Sequence, residues 1–410
     1  VSGVAASNQN PEAKSKHNSM AERIYLDWNA TAPLREQARR AFADALGAIG
    51  NPSSVHAEGR AARRLIEQAR AQVAELVGAE PAHVIFTSGG TEANASALTP
   101  AIETVAEKRP RGALLISSIE HPSVRAGGRF PAEAIIELPV EPDGRLNLAA
   151  LAQALAGVSR PLVSVMLANN ETGVIQPVAE AAELVHAAGG LLHVDAVQAA
   201  GRIACDISAL GADLMAISAH KIGGPKGVGA LIRRSDDTHF PDPLIRGGGQ
   251  ERGARGGTEN LPGIVAFGAA AAAASAQMPN ETSRMLALRQ KIEEDLRAVA
   301  PGTVIFGASA PRLPNTTMFA VPGVKAETAI IALDLEGVAV SSGAACSSGK
   351  VQASHVLEAM GFAPPLTQAA LRVSVGWTTT EADVERFQNA WRKAYGALSK
   401  GLKDKRGIAA

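Results

Sequence analysis

The chain has 410 residues, 46% of them hydrophobic and 20% charged, an ordinary globular balance that excludes a disordered polyelectrolyte or a fibrous repeat. Lys plus Arg and Asp plus Glu are 40 each, so no basic surplus points to nucleic acid or an anionic membrane as an obligatory partner, and 3% aromatics argue against base-stacking platforms. Two cysteines, Cys205 and Cys346, are too few for a disulfide framework or a cysteine zinc site, and they fit a reducing, cytoplasmic setting.

Residues 1–19 are polar, lack an apolar run, and read as a disordered leader or a non-native remnant ahead of Met20. A short strand over residues 23–27 is followed by a helix-period run over 34–46. The turn cluster NPSSVHAEGR then opens a long helix reaching about Val77. Beyond it, short Val, Ile and Leu runs recur as VIFTS, ALLISS, AIIELPV, PLVSVML, LLHVDA, LMAISA and GALIRR, most of them separated by helical patterns. That alternation predicts an α/β fold with a mostly parallel sheet and helices on both faces. The uncharged stretch from Asn260 to Asn280 is mostly alanine and opens with Pro and Gly, so it reads as a buried helix and not a membrane span. Met278, Pro279 and Asn280 are expected to break it. The predicted division is therefore a large ligand-binding domain over 31–275 and a smaller α+β domain made of 20–30 and 276–402.

In parallel sheets function gathers at the carboxyl ends of strands. Here those exits carry GGTEAN with Gly90 and Thr91, EHPS with His121, ANNETG with Asn170, and DAVQ with Asp195 and Gln198. The fifth carries SAHK with Ser218, His220 and Lys221. Singly, each has a plain explanation: a capped turn for Thr91, a helix cap for Asp195, a solvated amine for Lys221. Together they supply an amine able to form a Schiff base, a carboxylate able to keep a pyridinium protonated, and a glycine-rich helix start suited to phosphate. Those are the groups a protein contributes to pyridoxal 5'-phosphate chemistry.

From Ile24 to about Arg392 the sequence resembles the cysteine desulfurases, fold type I pyridoxal phosphate enzymes of the class V aminotransferase family. The resemblance is carried in order by YLDWNATAP, NPSSVHAEGR, FTSGGTEAN, EHPSV, ANNETGVIQP, HVDAVQAAG, SAHKIGGPKGVGAL, GGGQERGARGGTEN, RLPNT, SSGAACSSG and LRVSVGWTT. It implies that Lys221 carries the cofactor and moves the substrate Cα proton. It places Asp195 at the pyridine nitrogen, Gln198 at the ring hydroxyl and His121 on the ring face. Thr91, Ser218 and His220 would bind the phosphate, with Thr258 reaching in from a second subunit of a homodimer. Asn170 and Arg372 would hold the carboxylate of L-cysteine, and Cys346 would be the sulfur-accepting nucleophile.

Independently of the family, Cys346 sits among small residues in SSGAACSSGK, a context suited to a thiolate that relays sulfur, whereas Cys205 lies between Ile203 and Ile207 and reads as a buried thiol. SSGxxCSSG and RGGTEN resemble the long-loop branch that serves iron-sulfur assembly, which implies a scaffold protein as sulfur acceptor. Trp28 and Trp377 stand where relatives usually have Asn and Arg, and Ala344 where Ser is common; none touches the proposed chemistry directly, and the expected effect of these departures is on the pocket mouth or the partner surface. His56 reads as a loop fastener. The alternatives are another class V enzyme, an aminotransferase or selenocysteine lyase, and a non-catalytic scaffold of the same fold.

Overall fold

The computed structural model describes residues 23–342 and 353–407. Its centre is a seven-stranded sheet with the spatial order Val84–Thr87, Gly229–Arg233, Leu214–Ser218, Leu191–Asp195, Leu162–Met166, Leu114–Ser117, Ile135–Leu138. From Leu214–Ser218 to Ile135–Leu138 every pairing is parallel, while Gly229–Arg233 runs antiparallel to both of its neighbours. The reversal follows from chain length. The segment from Ser218 to Gly229 is too short for a helical crossover and returns as a hairpin-like connection.

The central strands are apolar almost throughout because both faces are covered. Leu115, Val163, Val165, Leu192, Val194, Met215 and Ile217 face one layer, shared with the Ala57–Leu76 helix and the start of Leu261–Val299. Leu114, Ile116, Leu162, Leu191, Leu214 and Leu231 face the other, with Ala93, Ala97 and Leu98. A second, three-stranded antiparallel sheet of Val304–Ile305, Thr316–Ala320 and Leu371–Ser374 packs Phe319 and Val373 into a core with Phe387 and Trp391 of the Glu381–Gly407 helix. The two-residue strand Ile24–Tyr25 pairs in parallel with Val338–Ala339, and Asp27 bridges to Ser374.

The expected break at 278–280 does not occur. One helix runs Leu261–Val299 with Pro279 inside it. Proline removes one backbone donor, and Ser283 Oγ donates to the Pro279 carbonyl at 3.2 Å one turn on. The alanine-rich half is buried against Ala57–Leu76. At the closest approach a Cβ on Gly268 would lie 2.6 Å from Ala69 Cα, so only glycine lets the two backbones meet. It is long and apolar enough to cross a membrane by composition, and half of that window is buried inside the fold.

Candidate active site

The exits of five strands open on one cavity of about 250 Å³. Val84–Thr87 delivers Gly90, Thr91 and Asn94, Leu114–Ser117 delivers His121 and Ser123, and Leu162–Met166 delivers Asn170. Leu191–Asp195 contributes Asp195 and Gln198, and Leu214–Ser218 contributes Ser218, His220 and Lys221. Residues up to 131 positions apart in the chain thus converge because parallel strands end on the same edge.

Asp195 is 6% exposed, and its carboxylate accepts from Asn94 Nδ2 at 2.8 Å and from the Val197 N–H at 3.0 Å. Two neutral donors leave lone pairs for a further donor in the cavity. Asn94 also donates to Ser123 Oγ at 2.9 Å, and Ser123 in turn lies 2.7 Å from His121 Nδ1. The Ser123 N–H points at the same nitrogen at 3.2 Å, so Nδ1 is an acceptor and the imidazole proton sits on Nε2. Burial, with Lys221 adding to it, lowers the His121 pKa against the pull of Asp195 and keeps the ring neutral.

Lys221 Nζ donates to the Asn29 carbonyl at 2.5 Å and the Ala30 carbonyl at 2.8 Å. Next to it, Thr91, Ser218 and His220 also line an adjoining cavity of about 390 Å³ that holds Lys226. Burial first, then Lys221, Lys226 and Arg202, pushes His220 down to about 4, so it is neutral at pH 7, with Nδ1 3.2 Å from Thr31 Oγ1. The Gly90–Ala97 helix begins at this junction with Gly89 at φ 155°, and a Cβ on Gly90 would stand 2.8 Å from Val197 Cγ2. Glycine therefore lets the helix's free N–H groups close on the cavity. A buried carboxylate with unused lone pairs, an amine, a neutral imidazole and a cationic helix-start cup at the far end match the ring nitrogen, aldehyde, ring face and phosphate of pyridoxal phosphate.

The segment 27–30, legible in the sequence only as part of YLDWNATAP with Trp28 as a departure, straps the site together. Asn29 is 1% exposed; its Nδ2 donates to Thr316 Oγ1 at 2.9 Å and to the Asn170 carbonyl at 3.1 Å, and its carbonyl also accepts from Gln198 Nε2 at 3.0 Å. The amide oxygen of Gln198 accepts from Arg202 Nη1 at 2.6 Å, so both ends of that amide are held within the chain. Arg372, on the small sheet, donates to the Asn170 carbonyl at 2.9 Å and pairs with Asp27 at 2.6 Å. Asn94, Ser123 and Lys226 carry no distinguishing signal of their own in the sequence, although each stands two to five residues from a candidate residue in GGTEAN, EHPS and HKIGGPK.

Glu120, beside His121, is wholly buried and accepts from Ser117 Oγ at 2.6 Å and from the Met166 N–H at 2.8 Å. Burial raises its carboxyl to about 8. The folded state therefore holds a proton that the unfolded chain has released above pH 4.5, so stability falls as pH rises from about 5 towards 8. Glu120→Gln is expected to flatten this slope, about 1.4 kcal/mol per pH unit for one proton. Denaturant midpoints across that range check it, and an unchanged slope would assign the proton elsewhere.

Thr258 does not line the Lys221 cavity within the chain. It is exposed beside a separate cavity with Ser88, Gly227 and Arg255. Its loop is tied down by Glu251, which accepts from Arg70 at 2.7 and 2.9 Å and from the Phe86 N–H at 2.9 Å. Cys346 and Ala344 lie outside the described residues, as do 1–19. Cys205 is 3% exposed and burial pushes its thiol up to about 12, so it stays protonated and unreactive. His56 caps the Ala57–Leu76 helix by accepting from the Gly59 N–H. Trp28 is buried and not at a pocket mouth. It packs edge-on to Trp377 at 4.6 Å, and Arg35, paired with Glu281, lies 3.9 Å over Trp377. An Asn and an Arg in these places would lose the aromatic edge contact between the two rings.

Fold and cavity together define a pyridoxal-phosphate-dependent enzyme with a mostly parallel α/β sheet. The model of the aminotransferase class-V family matches residues 24–387. A cysteine desulfurase of Cereibacter sphaeroides is 42% identical over 372 residues, covering 89% of this chain and 94% of that protein. Cysteine desulfurase IscS of Dictyoglomus turgidum is 39% identical over 370 residues, covering 89% and 92%. The crystal structure of a NifS-like protein from Rickettsia africae superposes with a TM-score of 0.81 at 34% identity, covering 92% of this chain and all of that one. The chain belongs to the class-V aminotransferase family and, within it, to the cysteine desulfurases.

Proposed function

We propose that the chain removes sulfur from L-cysteine, releasing L-alanine and leaving a persulfide on Cys346. The observation that carries this reading is the meeting of Lys221, Asp195, His121 and Thr91 in one cavity, with Arg372 and Asn170 joined at its side. Pyridoxal phosphate, when bound, supplies an aldehyde for the substrate amine and an electron sink for the bond broken at Cα.

The chain does the rest. Asp195 would offer its remaining lone pairs to a protonated ring nitrogen, and neutral His121 would lie against the ring without adding charge. Thr91, Ser218, His220 and the Gly90 N–H group would hold the phosphate, and the second N–H of Gln198 Nε2, beyond the one given to the Asn29 carbonyl, would be the donor left for the ring hydroxyl. Lys221, the one of these groups able to carry a proton on an amine, shifts it at Cα. Arg372 and Asn170 fix the substrate carboxylate, a task suited to a planar guanidinium. The Cys346 thiolate attacks the substrate sulfur, the C–S bonding pair passes to Cβ, and that carbon is protonated as alanine leaves.

A homodimer is part of the proposal. Thr258, exposed on a loop anchored by the buried Arg70–Glu251 pair, is suited to reach the phosphate cup of a second copy. An iron-sulfur scaffold in the cytoplasm is the proposed acceptor, supported by the IscS name of a relative and by the SSGxxCSSG pattern. In the unmutated enzyme given cysteine without reductant, one cyanide-releasable sulfur per subunit is expected on Cys346, with Cys205 remaining a thiol. Peptide mass mapping checks this, and sulfur on Cys205 would sink the assignment.

A further inference from the structure

Arg372 is 4% exposed and is paired with a carboxylate of its own chain. Its Nη2 lies 2.6 Å from Asp27 Oδ1, and its Nη1 donates to the Asn170 carbonyl at 2.9 Å. A guanidinium has five N–H donors, so three are left for a second carboxylate, among them the buried Nε, which has no partner among the described residues. Asp27 is not a side chain that can swing away with its backbone. Its carbonyl accepts from Tyr25 Oη at 2.9 Å and from the Ala30 N–H at 3.0 Å, and the residue bridges to Ser374 between hydrogen bonds made by Leu26 and Trp28.

We propose that Asp27 is a built-in counter-ion that holds the substrate-carboxylate subsite at low affinity. The proposal rests on the reading of Arg372 as the carboxylate anchor. Two effects of Asp27 oppose each other. It orients the guanidinium, which favours substrate, and it neutralises the charge and repels a second carboxylate, which disfavours it. The orientation is shared, because the Asn170 carbonyl holds the other edge of the fork and because an amide oxygen at position 27 would still accept from Nη2. The charge is supplied by Asp27 alone of these two partners, at a site where Arg372 is buried and Asp27 half-buried, so that repulsion between like charges is stronger than in water. Charge therefore wins. The benefit is kinetic: alanine keeps the same carboxylate as cysteine, so grip on that group slows product release without lowering the barrier.

The test is titration calorimetry of L-alanine into the holoenzyme. Asp27→Asn is expected to tighten alanine about tenfold, with a matching fall in KM for cysteine. Arg372→Gln is expected to weaken alanine by more than about tenfold. Unchanged or weaker binding in Asp27→Asn, with Arg372→Gln still weakened, would overturn the counter-ion and leave the carboxylate reading standing. Unaltered binding in Arg372→Gln would remove that reading and the proposal with it. A measurement on the unmutated holoenzyme needs no variant to fold: L-alaninamide, lacking the charge, should bind within about tenfold of L-alanine, and a loss of a hundredfold or more would overturn the proposal.

Discussion

Lys221→Ala is expected to lose cysteine turnover by about a thousandfold or more, because the group that moves the Cα proton is gone while the cavity that binds the cofactor remains. Thr91, Ser218, His220 and Asp195 keep their places in that variant, so pyridoxal phosphate should still be retained, non-covalently. Loss of the covalent link is checked by borohydride reduction and peptide mapping, which should label Lys221 in the unmutated protein and no residue in the variant. Turnover within tenfold of normal would mean that another base serves Cα, and would break the assignment of Lys221.

Cys346→Ser should separate the two halves of the chemistry. Binding of cysteine and proton movement at Cα depend on Lys221 and the cofactor, whereas C–S cleavage needs a soft anion to accept sulfur. A serine hydroxyl is not ionised at neutral pH and is a poor partner for sulfur. The variant is expected to bind cysteine with a visible spectral change yet to form alanine and sulfide about a thousandfold more slowly or not at all. Cys205 cannot substitute, since burial holds its thiol at about 12. An aminotransferase has no use for this thiol, so a Cys346→Ser protein with ordinary turnover would favour that alternative.

Much of the site was legible because parallel strands have a directional signature. Each apolar run ends in a loop, the loops share one edge, and unusual residues at those ends had to meet. The strap at 27–30 was not legible in the same way. Asp27 and Asn29 act on Asn170, Gln198, Lys221 and Arg372, partners 141 to 345 residues away, through a bridge to the small sheet that no local period encodes. Glu120 escaped because only burial distinguishes it from a surface carboxylate. The helix continues through Pro279, where the sequence predicts a break, because proline's local cost is small against the burial of a 39-residue element spanning two cores. Gly229–Arg233 could have been read as reversed from the shortness of the link before it.

The central claim is cysteine desulfuration, and the most direct measurement is the product balance of the purified holoenzyme given L-cysteine and a thiol reductant. Alanine and sulfide should appear in equal amounts, with no keto acid and no ammonia. Transfer of the amino group to give a keto acid, or sulfide accompanied by pyruvate and ammonia in place of alanine, would contradict it.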